Sequence, residues 1–447
     1  MDARTIAAYD RPVPRYTSYP TAAQFDPSVG PAEHAAWLAD LRGRTAAFYL
    51  HVPFCRQLCF YCACNTTAMN RPETLEGYAR AVVGELEHVA RIAPDLVVGS
   101  VQWGGGTPSQ LGPERLLKVG RRLAALFDAR SDREMSMEVD PRFCDQALAD
   151  TMAALGVTRI SLGVQDFDLA VQQAINRLQS PELTAAAIVR LRQAGLRHFN
   201  IDLVYGLPRQ TLETLSGTLD KAIELAPDRF AVFGYAHVPW MKPRQAVIDA
   251  ATLPGAAARA AMAGLVETRL VSAGYVKIGL DHYARPGDAL AHAATQRRLR
   301  RNFQGYVADK TPWVVGVGAS AISCMPQGYT QNATQAGAYT AAIDGGGLAT
   351  VRGIAWSAID RLRGDIISEL MCHFEADLAA ICSRHGAPLQ ALLSEVAALP
   401  SLIDDGLVSF DGTRLAVTGQ GRPLVRSVCA AFDRHYTGGE GRHARAI

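Results

Sequence analysis

Short apolar runs and amphipathic stretches take turns along the first half of the chain. The run AFYLHVPF at 47–54 predicts a strand. Leu75, Tyr78, Ala79, Val82, Val83, Leu86, Val89 and Ala90 then recur at helical spacing over 75–92. The same alternation predicts strands at 100–105, 134–139, 159–164, 198–206 and 229–238. Helical patterns at 113–127, 145–155, 169–177, 182–194 and 214–225 separate them, and no hairpin signal intervenes. Strict β-α alternation implies a parallel sheet with helices on its outer face. Six units are too few for a closed eight-fold barrel, so the expected fold is α/β, an open three-quarter (β/α)6 barrel. In such folds chemistry sits at the C-terminal ends of the strands. The glycine-rich and polar segments 55–64, 104–109, 138–141, 165–166, 202–208 and 236–239 all follow strands and would face one cavity.

Beyond residue 355 the texture changes. Amphipathic helices are predicted at 360–374, 376–385 and 390–399, a tight Asp-Gly hairpin at 409–418, and a further helix at 420–436. The expected organisation is an N-terminal arm (1–40), a barrel with an extension (41–355) and a small, mainly helical accessory domain (356–447), with a mobile end from 437 onward. A net charge of +2 in 447 residues suggests neither nucleic-acid nor membrane binding. No stretch approaches the roughly 18 uncharged apolar residues of a spanning helix. The N-terminus lacks an apolar secretory segment, so a cytoplasmic location is expected.

Nine cysteines without an export signal are expected to remain reduced. Cys144, Cys324, Cys372, Cys382 and Cys429 are scattered and read as buried thiols. Cys55, Cys59, Cys62 and Cys64 instead crowd one loop, HVPFCRQLCFYCACNT, the first three spaced C-x3-C-x2-C. A structural zinc normally draws on two separated pairs of thiolates, which this compressed loop does not offer. A [4Fe–4S] cube is normally held by four cysteines; three would leave one iron open for chemistry. That reading needs only Cys55, Cys59 and Cys62 and leaves Cys64 outside the ligand set.

One unit later stands GGGTPS at 104–109, where glycines admit close approach of a ligand and Thr107 and Ser109 offer hydrogen bonds. No Gly-Lys-Ser/Thr follows, so it is not a phosphate loop. Together, CRQLCFYC and GGGTP resemble the radical S-adenosylmethionine (SAM) enzymes. The resemblance implies that the open iron chelates the methionine amino and carboxylate groups, and that one electron then cleaves the sulfonium to a 5′-deoxyadenosyl radical.

RYTSYPTAAQF, WGGGTPS, EVDPR, SLGVQDF, NIDLVYGLPRQT, FGYAHVP, GLDHYARP, RNFQGY and GVGASAIS narrow the match. They resemble the oxygen-independent coproporphyrinogen III oxidases over nearly the whole chain. That resemblance implies two bound SAM molecules, Tyr49, Gly105, Glu138 and Ile322 contacting the cluster-bound one. Tyr61, Gly106, Thr107, Gln165, Arg177, Asp202 and Ala236 would contact the second. It also implies coproporphyrinogen III as substrate, two propionates decarboxylated to vinyls, an electron donor for the cluster, and a monomer. The RYTSYP arm would cover the barrel mouth, and Gln304 would lie near the site. His51 is a candidate hydrogen-bonding neighbour of the cluster, and His237 and His282 are candidates from their places at strand ends. Gly287 departs from an acidic residue common among relatives. A haem-binding chaperone of the same fold, or a methyltransferase or cyclopropanating enzyme, is the alternative. Cys64, the arm and RNFQGY favour the oxidase.

Overall fold

The structure, a computed structural model, describes residues 5, 8–309, 311–396, 399–438 and 445. Six strands lie side by side in chain order: β1 (Thr45–Val52), β2 (Val97–Gly105), β3 (Met135–Val139), β4 (Arg159–Gln165), β5 (His198–Tyr205) and β6 (Arg229–Gly234). Every neighbouring pair is parallel, with Tyr49 beside Gln102, Trp103 beside Met137, Glu138 beside Ser161, and Asp202 beside Ala231. Parallel neighbours need a crossover, and helices supply each one. Pro72–Ile92, the longest, opens with proline in its first turn, where the missing N–H costs nothing. It buries Leu75, Tyr78, Val82, Leu86 and Val89 in the core that also holds Phe48 and Leu50 of β1.

The sheet does not stop at six. Val276–Ile278 (β7) and His282–Ala284 (β8) extend the β6 edge antiparallel. On the other side Val314–Val317 (β9) runs parallel to β1, followed by antiparallel Ile322–Met325 (β10), Gly328–Asn332 (β11) and Thr350–Ala355 (β12). The result is a 12-stranded sheet whose central six strands form the barrel wall. The added strands are three to six residues long, too short for their periodicity to announce them.

The C-terminal unit departs from expectation in detail. The segment expected as a helix over 376–385 begins as a strand, Glu375–Asp377, and only then forms a helix, Leu378–Arg384. That strand pairs with Arg414–Val417, which also pairs with Val408–Phe410, so the hairpin supplies two strands of a three-stranded sheet. The helix expected over 390–399 is two short pieces, Leu389–Leu392 and Leu393–Val396; residues 397–398 lie outside the described residues. Within 420–436 the α-helix is confined to Val425–Ala431, after a 3-10 turn at Arg422–Leu424 that holds Pro423. Most of the tail from 437 lies outside the described residues.

Tyr9, Val13, Tyr16 and Tyr19 of the N-terminal arm share a core with Leu370, Leu415 and Val428 of the C-terminal unit. The arm then crosses to the extension, where Phe25 stacks on Tyr329 at 5.8 Å. Within the first anchorage, between Val13 and Tyr16, Arg15 donates to the Gly234 carbonyl at the end of β6, at 3.2 Å, so the arm passes over the barrel mouth.

Candidate active site

The cysteine loop leaves the end of β1 and is clamped on both sides. Phe54–Cys55 pairs in parallel with Thr67–Ala68, and the Phe60 amide donates to the Ile175 carbonyl at 3.0 Å. Asn176, in left-handed backbone (φ 55°), donates to the Leu58 carbonyl at 2.9 Å. GGGTP lies directly beneath: the amides of Gly106 and Thr107 donate to the carbonyls of Val52 and Phe54, both at 2.8 Å. A Cβ on Gly106 would stand 2.6 Å from the Phe54 carbonyl oxygen, and one on Gly104 would stand 2.7 Å from Glu138 Oε1. These glycines are spacers that let one loop rest on another.

Cys55, Cys59, Cys62, Tyr61, Gly105, Gly106, Thr107, Glu138, Gln165, Arg177, Asp202 and Ala236 all line one cavity of about 530 Å³. Of the residues expected to contact the cluster or SAM, only Tyr49 and Ile322 lie elsewhere. They line an adjoining cavity of about 520 Å³, together with His51, Phe303 and Gln304. Contributions from β1 to β6 thus converge, as site placement at strand ends requires.

The donor set suits an iron–sulfur cube. Thr66 and Thr107 hydroxyls lie 3.1 and 3.5 Å from Cys55 Sγ, and Arg177 Nη1 lies 3.6 Å from Cys59 Sγ. Hydrogen bonding by Cys64 lowers the Cys62 thiol to about 6, and the same contact raises Cys64. Among the described residues no three His, Cys, Asp or Glu side chains converge on a single ion, as a lone zinc would need. A cube, whose irons each take their own thiolate, asks for no such convergence.

Two carboxylates give the cavity its acidic floor. Burial, and then the nearby Asp202, push the Glu138 carboxyl up to about 8. Burial raises Asp202 too, although Ser161 and Asn200 donate to it at 3.0 and 2.7 Å. Arg177 is largely engaged within the protein. Its two terminal nitrogens each lie 3.3 Å from an Asp140 oxygen, and it also donates to the Gly163 carbonyl. Burial opposes ionisation of Asp140, but Arg177 and Arg142 outweigh it and hold its carboxyl below the usual range. Of the Arg177 nitrogens, Nε alone lacks a hydrogen-bond partner among the described residues.

Several supporting residues carried little sequence signal. Asp140 and Arg142 belong to the conspicuous EVDPR string and could have been found there. Gln245 could not: it donates to the carbonyls of Tyr61 (2.7 Å) and Ala236 (3.1 Å), tying two cavity walls together. Burial lowers His51 to about 4, leaving a neutral ring between Tyr49 hydroxyl (3.1 Å), the Asn65 carbonyl (3.3 Å) and Ser320 hydroxyl (3.2 Å). A Cβ on Gly105 would meet that ring at 2.7 Å, so His51 organises the wall between the two cavities. His237 pairs with the Tyr235 hydroxyl at 2.9 Å, and His282 with Asp281 at 2.7 Å.

A parallel-stranded α/β barrel with a three-cysteine loop at its mouth defines a radical SAM enzyme, which uses a [4Fe–4S] cluster and SAM. Residues 49–222 match the model of the radical SAM superfamily, and residues 356–424 match the HemN C-terminal domain. The chain belongs to the oxygen-independent coproporphyrinogen III oxidase family. It is 47% identical to the oxygen-independent coproporphyrinogen III oxidase of Bradyrhizobium diazoefficiens, covering 97% of each chain. The Paracoccus denitrificans protein of the same description is 40% identical, over 99% of this chain and 98% of that one. Among solved structures, coproporphyrinogen III oxidase from Escherichia coli superposes with a TM-score of 0.90 at 36% identity, covering 94% of this chain and 98% of that one.

Proposed function

We propose that the chain decarboxylates two propionate side chains of coproporphyrinogen III to vinyl groups without oxygen, giving protoporphyrinogen IX in haem biosynthesis. The observation that carries this reading is the single cavity of about 530 Å³ that gathers the four cysteines of the loop, the carboxylates Glu138, Asp140 and Asp202, and the glycine loop. Cys55, Cys59 and Cys62 would hold the cluster. Tyr49, Gly105, Glu138 and Ile322 would contact the SAM bound to it, and Tyr61, Gly106, Thr107, Gln165, Arg177, Asp202 and Ala236 a second SAM. When bound, the reduced cluster and SAM supply a carbon-centred radical able to take a hydrogen atom from a propionate β-carbon. Each propionate then releases carbon dioxide and passes one electron to an external one-electron acceptor, and a C=C bond remains. Two propionates match two SAM molecules.

The protein's own share is positioning and exclusion. Glu138 and Asp202 present acceptors to the cationic and hydroxyl groups of SAM in a site screened by protein, where charge complementarity counts for more than in water. Asp140 holds Arg177 against the cysteine loop, and Gln245 fixes the walls at Tyr61 and Ala236. The arm crosses the mouth and limits water. An electron donor reduces the cluster. The chain works as a cytoplasmic monomer, a setting that suits its nine unpaired cysteines. No helix among the described residues is long and apolar enough to cross a membrane.

Anaerobic incubation with reductant, SAM, coproporphyrinogen III and a one-electron acceptor tests the reading. Protoporphyrinogen, carbon dioxide and 5′-deoxyadenosine in a ratio of about 1:2:2 are expected from the balance above. SAM cleavage that leaves the porphyrinogen intact would refute it.

A further inference from the structure

A third cavity, of about 510 Å³, shares Arg15 and the wall Phe233–Ala236 with the cluster cavity. It is the more strongly basic of the two. Arg15, Arg259, Arg301 and Arg426 line it, while its acids are already engaged: Glu267 by Lys277 at 2.6 Å, and Asp281 by His282 at 2.7 Å. Among the described residues that line it, six are basic and two are acidic.

The fold builds this arrangement rather than merely tolerating it. Arg259 donates to the Tyr235 carbonyl at 2.8 Å and lies over two glycines that close β5 and β6. A Cβ on Gly206 would stand 2.8 Å from Arg259 Nη1, and one on Gly234 would stand 3.4 Å from Nη2. Arg301 has a side chain only 7% exposed, with Nη1 3.8 Å from Asp281 Oδ1, beyond hydrogen-bond distance. Its Nε and Nη1 have no hydrogen-bond partner among the described residues, and buried donors of this kind are ordinarily satisfied. Arg301 also lines the cavity that holds Tyr49 and Ile322, so it stands where the cavities meet. Burial, together with the neighbouring Arg301 and Arg259, holds the Arg15 guanidinium below its ordinary value, a cost that a bound anion would remove.

We propose that Arg259 and Arg301, with Arg15 of the arm, form a carboxylate-binding site that grips a non-reacting propionate of the porphyrinogen beside the cluster cavity. The proposal rests on the decarboxylation reading above. It accounts for a feature that reading leaves open: a substrate with four propionates, of which two react, must be held by groups that stay charged through both turnovers. Guanidinium forks match carboxylates in geometry and do not lose their charge.

The test is steady-state kinetics of the reconstituted holoenzyme under anaerobic conditions, with R259Q, R301Q and the corresponding Lys variants. KM is measured separately for coproporphyrinogen III and for SAM. Each Gln variant is expected to raise KM for the porphyrinogen roughly tenfold, the loss of about one charge-assisted contact. It should also release more of the half-processed tricarboxylate, and Lys should restore part of the affinity. Should R301Q hold no cluster, R259Q, at the more open wall, carries the test alone. An unchanged porphyrinogen KM in a cluster-replete R259Q would overturn the proposal, as would a rise confined to the KM for SAM. A wild-type enzyme that converts no porphyrinogen would instead overturn the decarboxylation reading.

Discussion

The barrel and the C-terminal unit are held together by different means. In the barrel, the decisive contacts are between loops a short way apart in sequence: GGGTP rests on the cysteine loop through backbone hydrogen bonds of 2.8 Å. In the C-terminal unit they span the whole chain. The arm's Tyr16 donates to Asp433 at 3.1 Å, and Tyr9 donates to Asp405 at 2.7 Å. The first region is specified by glycines and polar residues that side chains elsewhere would clash with. The second is specified by apolar burial, with Leu370, Leu415 and Val428 at its centre. Chemistry therefore tolerates little change in one region, whereas the other tolerates exchange of one apolar residue for another.

Substitutions should separate the two regions sharply. The largest effect belongs to the cysteines: C55A, C59A or C62A should abolish cluster absorbance and turnover, whereas C64A should keep the cluster. Next comes G106A, whose Cβ would meet the Phe54 carbonyl at 2.6 Å. Shifting the cysteine loop should lower kcat about a hundredfold, in line with the cost of misplacing reacting groups by about an ångström. L370A, at a position with no solvent exposure, should cost about 2–5 kcal/mol of stability in denaturant melts. Cluster absorbance per folded molecule should be unaltered. D140N removes the partner of Arg177 and should raise the KM for SAM roughly tenfold, the loss of one charge-assisted pair.

The smallest effect concerns Glu85, a buried carboxyl beneath the extension. It accepts hydrogen bonds from Gly318 (2.7 Å), Asn332 (2.7 Å) and Tyr339 (2.7 Å), yet burial raises it to about 7. An acid whose folded value is raised contributes stability that is full below the unfolded value, about 4.3, and is lost as pH climbs toward the folded one. Stability should thus fall between about pH 4.5 and 7 by at most about 1.4 kcal/mol per pH unit from this group. E85Q should flatten that slope. An unchanged slope would show that the carboxyl is ionised throughout.

The same contrast explains what could be read from the chain. The six barrel strands were legible because each carries its own apolar run and hands over to a helix with its own periodicity. The cysteine loop and GGGTP were legible because few other chemistries need such compositions. The strand Glu375–Asp377 was hidden because three residues carry no period, and its partner Arg414–Val417 lies far along the chain. Likewise β9 to β12 become strands only because the β1 edge offers them a ladder. At the site, Arg177 was legible only through the family resemblance, since on its own it reads as the last residue of a helix. That Asp140 would claim most of its hydrogen bonds was not, since the pairing depends on how two loops meet in space.

The central claim is a cube held by three thiolates, with its fourth iron left to SAM. Its most direct measurement is iron content, together with the electron paramagnetic resonance spectrum of the dithionite-reduced, anaerobically reconstituted protein, with and without SAM. The account predicts about four irons per chain, in wild type and C64A alike, and a [4Fe–4S]+ signal that shifts when SAM is added. A single zinc per chain, or a cluster signal indifferent to SAM, would contradict it.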